Sequence, residues 1–163
     1  ADIIIINRKF SEKIKIQKNI LKLFDGKTLF YGYYKSSGLY DVKNHQHFKL
    51  DELEGEKSLV VCGIARPYSF LKVLESNNID INNKLLFKDH KEYKLKEVDL
   101  IRKKFYDTNS NSVVTTQKDF VKLKLFSNEL DDIDIYYLKI DMEIENQEEF
   151  NNQILELFNK QKN

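Results

Sequence analysis

The passage that most constrains the fold runs from Ser58 to Leu74. Ser58-Leu59-Val60-Val61-Cys62 reads as an apolar strand, Gly63-Ile64-Ala65-Arg66-Pro67 as a loop, and Phe70, Leu71, Val73 and Leu74 as the apolar positions of a helix. Pro67 sits where a first helical residue belongs, because its fixed φ suits that place and its missing N–H is not needed there. A strand that hands over directly to a helix begins a βαβ unit, and the pattern recurs along the chain. Lys84 to Phe87 is a strand followed by a helix over Lys94 to Tyr106, with Val98, Ile101 and Phe105 inward. Ser112 to Thr115 is a strand, and Thr116 opens the next helix.

The flanks repeat the alternation. Asp2 to Ile6 is a β-branched run, expected to be a buried parallel strand. Ser11 is placed to cap a helix whose apolar face holds Ile16, Ile20, Leu23 and Phe24, with Gly26 as its stop. Lys27 to Tyr34 is an aromatic-rich strand closed by a turn at Ser36-Ser37-Gly38. Tyr40 to Glu56 is polar and reads as a short strand about Phe48 with an exposed connection. Asp134 to Ile140 is a late strand, and Glu145 to Lys160 a helix with Phe150, Ile154, Leu157 and Phe158 on its apolar side. This order predicts an α/β fold: a mainly parallel sheet with helices on both faces, in three layers.

Composition narrows the function. At 163 residues and 41% hydrophobic the chain is one domain, or one lobe of a larger enzyme, with enough apolar mass for a core. A net charge of +1 gives no dominant basic surface, so no nucleic-acid partner is expected. The single cysteine, Cys62, excludes an internal disulfide and lies in an apolar run, where a small buried residue is expected. The run Ile3 to Ile6 is far short of the ~20 residues that span a bilayer. Because the sequence opens on Ala1 directly inside a strand, an N-terminal part is expected upstream of it.

Three segments place polar groups where an apolar strand ends, the edge at which open α/β sheets bind ligands. Gly63 lets the backbone turn sharply, the helix from Pro67 points free N–H groups outward, and Arg66 adds a fork that matches phosphate. That combination reads as an anion site, against an ordinary tight turn with a solvated arginine. His90 beside Asp89 is a candidate proton acceptor, against a plain surface histidine; if the segment is extended, the two side chains point opposite ways. His45 and His47 read as exposed. In Thr115-Thr116-Gln117-Lys118-Asp119, Thr116 and Asp119 have the spacing of a capping box, while Lys118 and, a turn later, Lys122 could reach a phosphate. Asn7-Arg8-Lys9 is a weaker case of the same kind. No G-x-x-x-x-G-K-[ST] loop, no paired aspartate after an apolar strand and no G-x-S-x-G elbow occurs.

As an ordered set, Gly63-Ile64-Ala65-x-Pro67, Asp89-His90 and Thr115-Thr116-x-Lys118-Asp119-x-Val121-Lys122 resemble the C-terminal half of the tetraacyldisaccharide 4'-kinase family, and Ala1 to Ile6 resembles the strand after its nucleotide half. The resemblance runs from residue 1 to about Ile144. It implies a P-loop kinase of lipid A biosynthesis that moves the ATP γ-phosphate to the 4'-hydroxyl of a lipid A disaccharide 1-phosphate, at the cytoplasmic face of the bacterial inner membrane with peripheral membrane contact. It further implies that ATP and Mg2+ are held by an N-terminal P-loop lobe upstream of Ala1, so that this chain alone is inactive. His90 then matches a histidine that pairs with a carboxylate of that lobe, and Asp89 its neighbour. Gly63, Arg66 and Pro67 match a loop between lobes, and Thr116, Lys118 and Asp119 the last motif, as substrate or phosphate contacts. The chain departs from the family at Lys88, where proline is usual, at Lys91, where a second histidine is frequent, and at Gln117 and Phe120, where Glu and Ala are common. The alternative is a non-catalytic α/β module that binds a phosphorylated ligand or packs on a partner.

Overall fold

A computed structural model describes residues 1–11 and 16–160. In chain order the elements are β1 (Ile3–Asn7), α1 (Lys18–Leu21), β2 (Thr28–Asp41), β3 (His47–Phe48), β4 (Lys57–Cys62), α2 (Tyr68–Ser76), β5 (Asp80–Leu86), α3 (Leu95–Asp107), β6 (Ser112–Thr116), α4 (Gln117–Leu123), β7 (Ile135–Ile144) and α5 (Gln147–Lys160). Turns of 3₁₀ helix lie at Lys22–Phe24, Leu50–Leu53 and Lys124–Phe126. The chain forms two compact units, Ala1–Lys35 with Asp141–Asn163, and Ser36–Ile140. None of the described helices is long and apolar enough to cross a membrane.

The larger unit, Ser36–Ile140, carries the βαβ series. Its strands run in the order β2-β7-β6-β4-β5, with β3 beside β2. β5, β4, β6 and β7 are mutually parallel, Val60 lying opposite both Lys84 and Val114. From β4 the chain moves outward to β5, then returns past β4 to β6 and on to β7. Parallel crossovers are right-handed, so moves in opposite directions put their helices on opposite faces. The packing agrees. Val98, Ile101 and Phe105 of α3 and Leu123 of α4 join Leu59, Val61 and Val113 in one apolar cluster that contains nothing from α2. Val60 and Cys62 alternate to the other face and are equally buried. The reversal of direction makes the carboxyl ends of β4 and β6 a topological switch point.

In the smaller unit, β1 pairs in parallel with β2, from Ile3 opposite Thr28 to Asn7 opposite Gly32. The expected buried strand is thus an edge strand: Ile5 is 40% exposed. Among the described residues, the helix expected after Ser11 is present as the single turn of α1 and a 3₁₀ turn, with Gln17 before α1 making no side-chain cap. Residues 12–15 of that helix lie outside the described residues. Ile20 and Leu23, expected on a buried face, are exposed. Gly26 does mark the stop, at φ +77°. Phe150 of α5 packs edge-on against Phe30 of β2, while Phe158 is exposed.

The turn expected at Ser36-Ser37-Gly38 is absent; all three residues lie inside β2. Gly38 instead permits a close approach. It sits at φ +110°, and a Cβ there would strike the His47 ring and come within 2.7 Å of the Phe48 carbonyl oxygen. His47 Nε2 lies 3.0 Å from the Ser37 carbonyl oxygen. A glycine signal that reads as a bend in sequence is here the mark of a tightly packed neighbouring strand.

Candidate functional site

Gly63 follows β4, Asp89 and His90 follow β5, and Thr116 ends β6, so all three segments meet at the carboxyl edge of adjacent strands. α2 begins as the sequence predicts. Pro67 already has helical angles (φ −69°, ψ −15°), and its carbonyl accepts the Leu71 N–H at 2.9 Å.

The centre of the site is a buried carboxylate. Thr116 caps α4 through its hydroxyl, which accepts the Asp119 N–H at 3.1 Å. The second half of the expected capping box is missing. Asp119 turns its Oδ2 to Gly63, whose N–H donates at 2.9 Å, and to the Thr116 hydroxyl, which donates at 2.7 Å. Asp119 is completely buried. Its Oδ1 and the Tyr93 hydroxyl are buried without a hydrogen-bond partner. No well-aligned bond joins them, but burial first and the Asp119 charge second push the Tyr93 phenol upward. Burial, then Asp119, push the Cys62 thiol up to about 12. Cys62 is thus the inert core residue its sequence context predicts.

Gly63 is required by contact as well as by turning. A Cβ there would lie 2.8 Å from Lys91 Cβ and 3.3 Å from Asp119 Oδ1. The Lys88–Lys91 loop therefore packs directly on the β4 loop. Lys122 Nζ donates to the Lys91 carbonyl at 2.6 Å, and Lys91 Nζ donates to Glu97 Oε1 at 2.8 Å. That bond holds the Glu97 carboxyl below its ordinary value.

His90 occupies a turn, not an extended segment, and has φ +56°. The turn changes its relation to Asp89. The two side chains come together, Nε2 lying 3.5 Å from Asp89 Oδ2, and Asp89 Oδ1 accepts the His90 N–H at 3.0 Å. The His90 side chain is 75% exposed. Arg66 and Lys118 are exposed too. Among the described residues, neither Arg66 nor Lys118 makes an ion pair or side-chain hydrogen bond, so both charges face outward. Gly63, Thr116 and Asp119 are buried and bound to one another. The seven candidate residues thus separate into an inner group that ties loops together and an outer group, Arg66, Asp89, His90 and Lys118, that faces solvent.

His45 and His47 are exposed, as the sequence suggests. His45 lies in a turn, its Nε2 2.8 Å from Lys124 Nζ, and its ring is edge-on to Phe120. In the smaller unit, Arg8 lies over the Tyr33 ring and 3.7 Å from Glu145. Sequence reasoning missed Tyr93, and it gave Lys122 no protein partner. Tyr93 carried no motif signal; Lys122 had one, a lysine one turn after a buried helix-start aspartate.

Known proteins resemble this chain. The family model for tetraacyldisaccharide-1-P 4'-kinase matches residues 1–159. A tetraacyldisaccharide 4'-kinase of Bdellovibrio bacteriovorus is 31% identical over 130 residues, 79% of this chain and 38% of the relative. One of Halothermothrix orenii is 33% identical over 105 residues, 61% of this chain and 27% of the relative. This chain therefore spans between about a quarter and two fifths of those relatives. A crystal structure of LpxK from Aquifex aeolicus in complex with ATP superposes with a TM-score of 0.58 over 97% of this chain and 43% of its own, at 18% identity. That likeness establishes the α/β fold.

Proposed function

Since the chain belongs to the tetraacyldisaccharide-1-P 4'-kinase family, we propose that it acts as the C-terminal part of a kinase that moves the ATP γ-phosphate to the 4'-hydroxyl of a lipid A disaccharide 1-phosphate. The observation that supports this reading best is the meeting of all three family motifs at one switch point, with His90 and Asp89 exposed there and in contact.

The chemistry follows from that pair. Phosphoryl transfer needs the sugar hydroxyl to lose its proton as its oxygen bonds to phosphorus. His90 presents an exposed imidazole that can take the proton. Asp89 Oδ2, 3.5 Å from Nε2, stabilises the imidazolium so formed and holds the ring in place. Arg66 and Lys118 are the outward-facing cations suited to the substrate's phosphate. Thr116, Asp119 and Gly63 serve the site from beneath by fixing the loops. The residues of this chain do not fit the nucleotide and its metal: it has no phosphate loop, and no three His, Cys, Asp or Glu side chains of the described residues gather to hold an ion. We therefore assign ATP and Mg2+ to an N-terminal nucleotide-binding lobe outside this sequence, and the working place to the cytoplasmic face of the inner membrane, where ATP and a lipid substrate meet.

The test is phosphate transfer to a lipid A disaccharide precursor by the enzyme carrying this chain, wild type against His90→Ala. Loss of a general base lowers kcat by about 10²- to 10⁴-fold, with ATP affinity retained. An unchanged rate would remove His90 from the reaction. Absence of any transfer by wild type, together with retained binding of a phosphorylated sugar by this chain, would instead favour a binding module built on Arg66 and Lys118.

A further inference from the structure

The His90 backbone is in the left-handed region at φ +56°, uncommon for a non-glycine residue although histidine is among those that enter it most readily. Three contacts hold the segment here. Asp89 Oδ1 takes the His90 N–H. Lys91, the next residue, is tied through its side chain to Glu97 at the start of α3. The carbonyl of Lys91 accepts a 2.6 Å bond from Lys122 Nζ. The last contact is the one that reaches the loop from another motif, across 31 positions. It is also half-buried, where a charge-assisted bond is strong. α4 therefore grips two loops from one face. Asp119 holds Gly63, and Lys122, one turn on, holds the segment that carries His90. Gly63 and Lys91 in turn touch each other so closely that no side chain fits between them.

We propose that Lys122 is a positioning residue for His90: its ammonium, bonded to the Lys91 carbonyl, sets the left-handed turn that aims the imidazole. The function of that aim rests on the kinase reading above; the positioning itself does not. Lys122 is consequently committed to the protein and is not a phosphate ligand, which divides the roles of the two lysines in its motif. Lys118 faces outward; Lys122 faces the loop.

The experiment compares wild type, Lys122→Met and Lys122→Arg. On this chain, the imidazole signals of ¹⁵N-labelled His90 are followed by NMR, with His45 and His47 as internal references among the three histidines. Lys122→Met is expected to move the His90 signals while leaving those of His47 in place, and Lys122→Arg, which keeps a donor, to restore them. Should Lys122→Met unfold the chain, Lys122→Gln, polar but too short to reach, replaces it. In the enzyme carrying this chain, Lys122→Met is expected to lower kcat by about 10²-fold, the cost of a small misplacement, with KM for ATP unchanged. Unmoved His90 signals in Lys122→Met would overturn the proposal. Moved signals together with full activity in His90→Ala would leave Lys122 as the positioning residue and overturn the kinase role of His90 instead.

Discussion

β1 and β4 look alike as sequences and differ in the fold. Ile3-Ile4-Ile5-Ile6-Asn7 is the more apolar of the two, yet its residues are half-buried or exposed. Lys57-Ser58-Leu59-Val60-Val61-Cys62 includes a serine, yet every residue after Lys57 is buried. The difference is the number of neighbours. β4 lies between β5 and β6, with an apolar layer on each face, whereas β1 ends its sheet path against β2. An apolar run records what a strand can bury; pairing on both edges decides what it does bury. The same centrality makes the site. Only a strand with a neighbour on either side, approached from opposite directions, can end in a switch point, and β4 delivers Gly63 into it.

The sharpest way to break this comparison is to truncate both strands. Leu59→Ala is expected to destabilise by about 2–5 kcal/mol, the range for a buried leucine. Ile5→Ala is expected to cost about 1 kcal/mol or less, the ordinary size for a residue so exposed. Urea unfolding measures both, and equal losses would mean that β1 is as enclosed as β4. Next in size is Asp119→Ala. It leaves the Gly63 N–H buried and unpaired, at about 1–3 kcal/mol. Because the Asp119 charge helps raise the Cys62 thiol, the same variant should bring the thiol's ionisation down from about 12, read by ultraviolet thiolate absorbance. A thiol that titrates as before would detach the site from the central strand. The smallest effect concerns the loop beneath His90. Glu97 is held below its ordinary value of 4.5, first by the Lys91 hydrogen bond. A carboxyl depressed in the folded state stabilises above its unfolded pKa, and loses that contribution as pH falls through the lower folded value. Stability should therefore decline on acidification from about pH 4.5 downward, and Glu97→Gln should flatten that decline. A pH profile identical in the variant would show that the Lys91–Glu97 bond contributes nothing.

Much of the fold was legible because its signals are local. Val98, Ile101 and Phe105 recur at helical spacing and are the residues α3 buries. Thr116 precedes a helix and caps it, and Asn77 and Asn78 end α2 where the apolar pattern stops. Two misreadings had a common cause. Gly38 and the apolar face at Ile20 and Leu23 were judged by propensity, but a glycine is equally suited to a bend and to a close neighbour, and an apolar stripe is buried only if something covers it. The site divides the same way. His90, Arg66 and Lys118 were legible as residue types at strand ends. That Asp89 touches His90 was not, because it depends on a left-handed turn rather than on an extended strand.

By itself the sequence determined the order of strands and helices, the residues available to a core, and the family, since these rest on spacing within one element and on short motifs. The tertiary structure alone decided which apolar strand is central, that Asp119 binds Gly63 as well as the cap of its own helix, and that Lys122 holds the loop of His90. Those contacts join residues 56 and 31 positions apart. No periodicity encodes such pairs; they exist only because the crossovers bring the ends of β4, β5 and β6 to one edge.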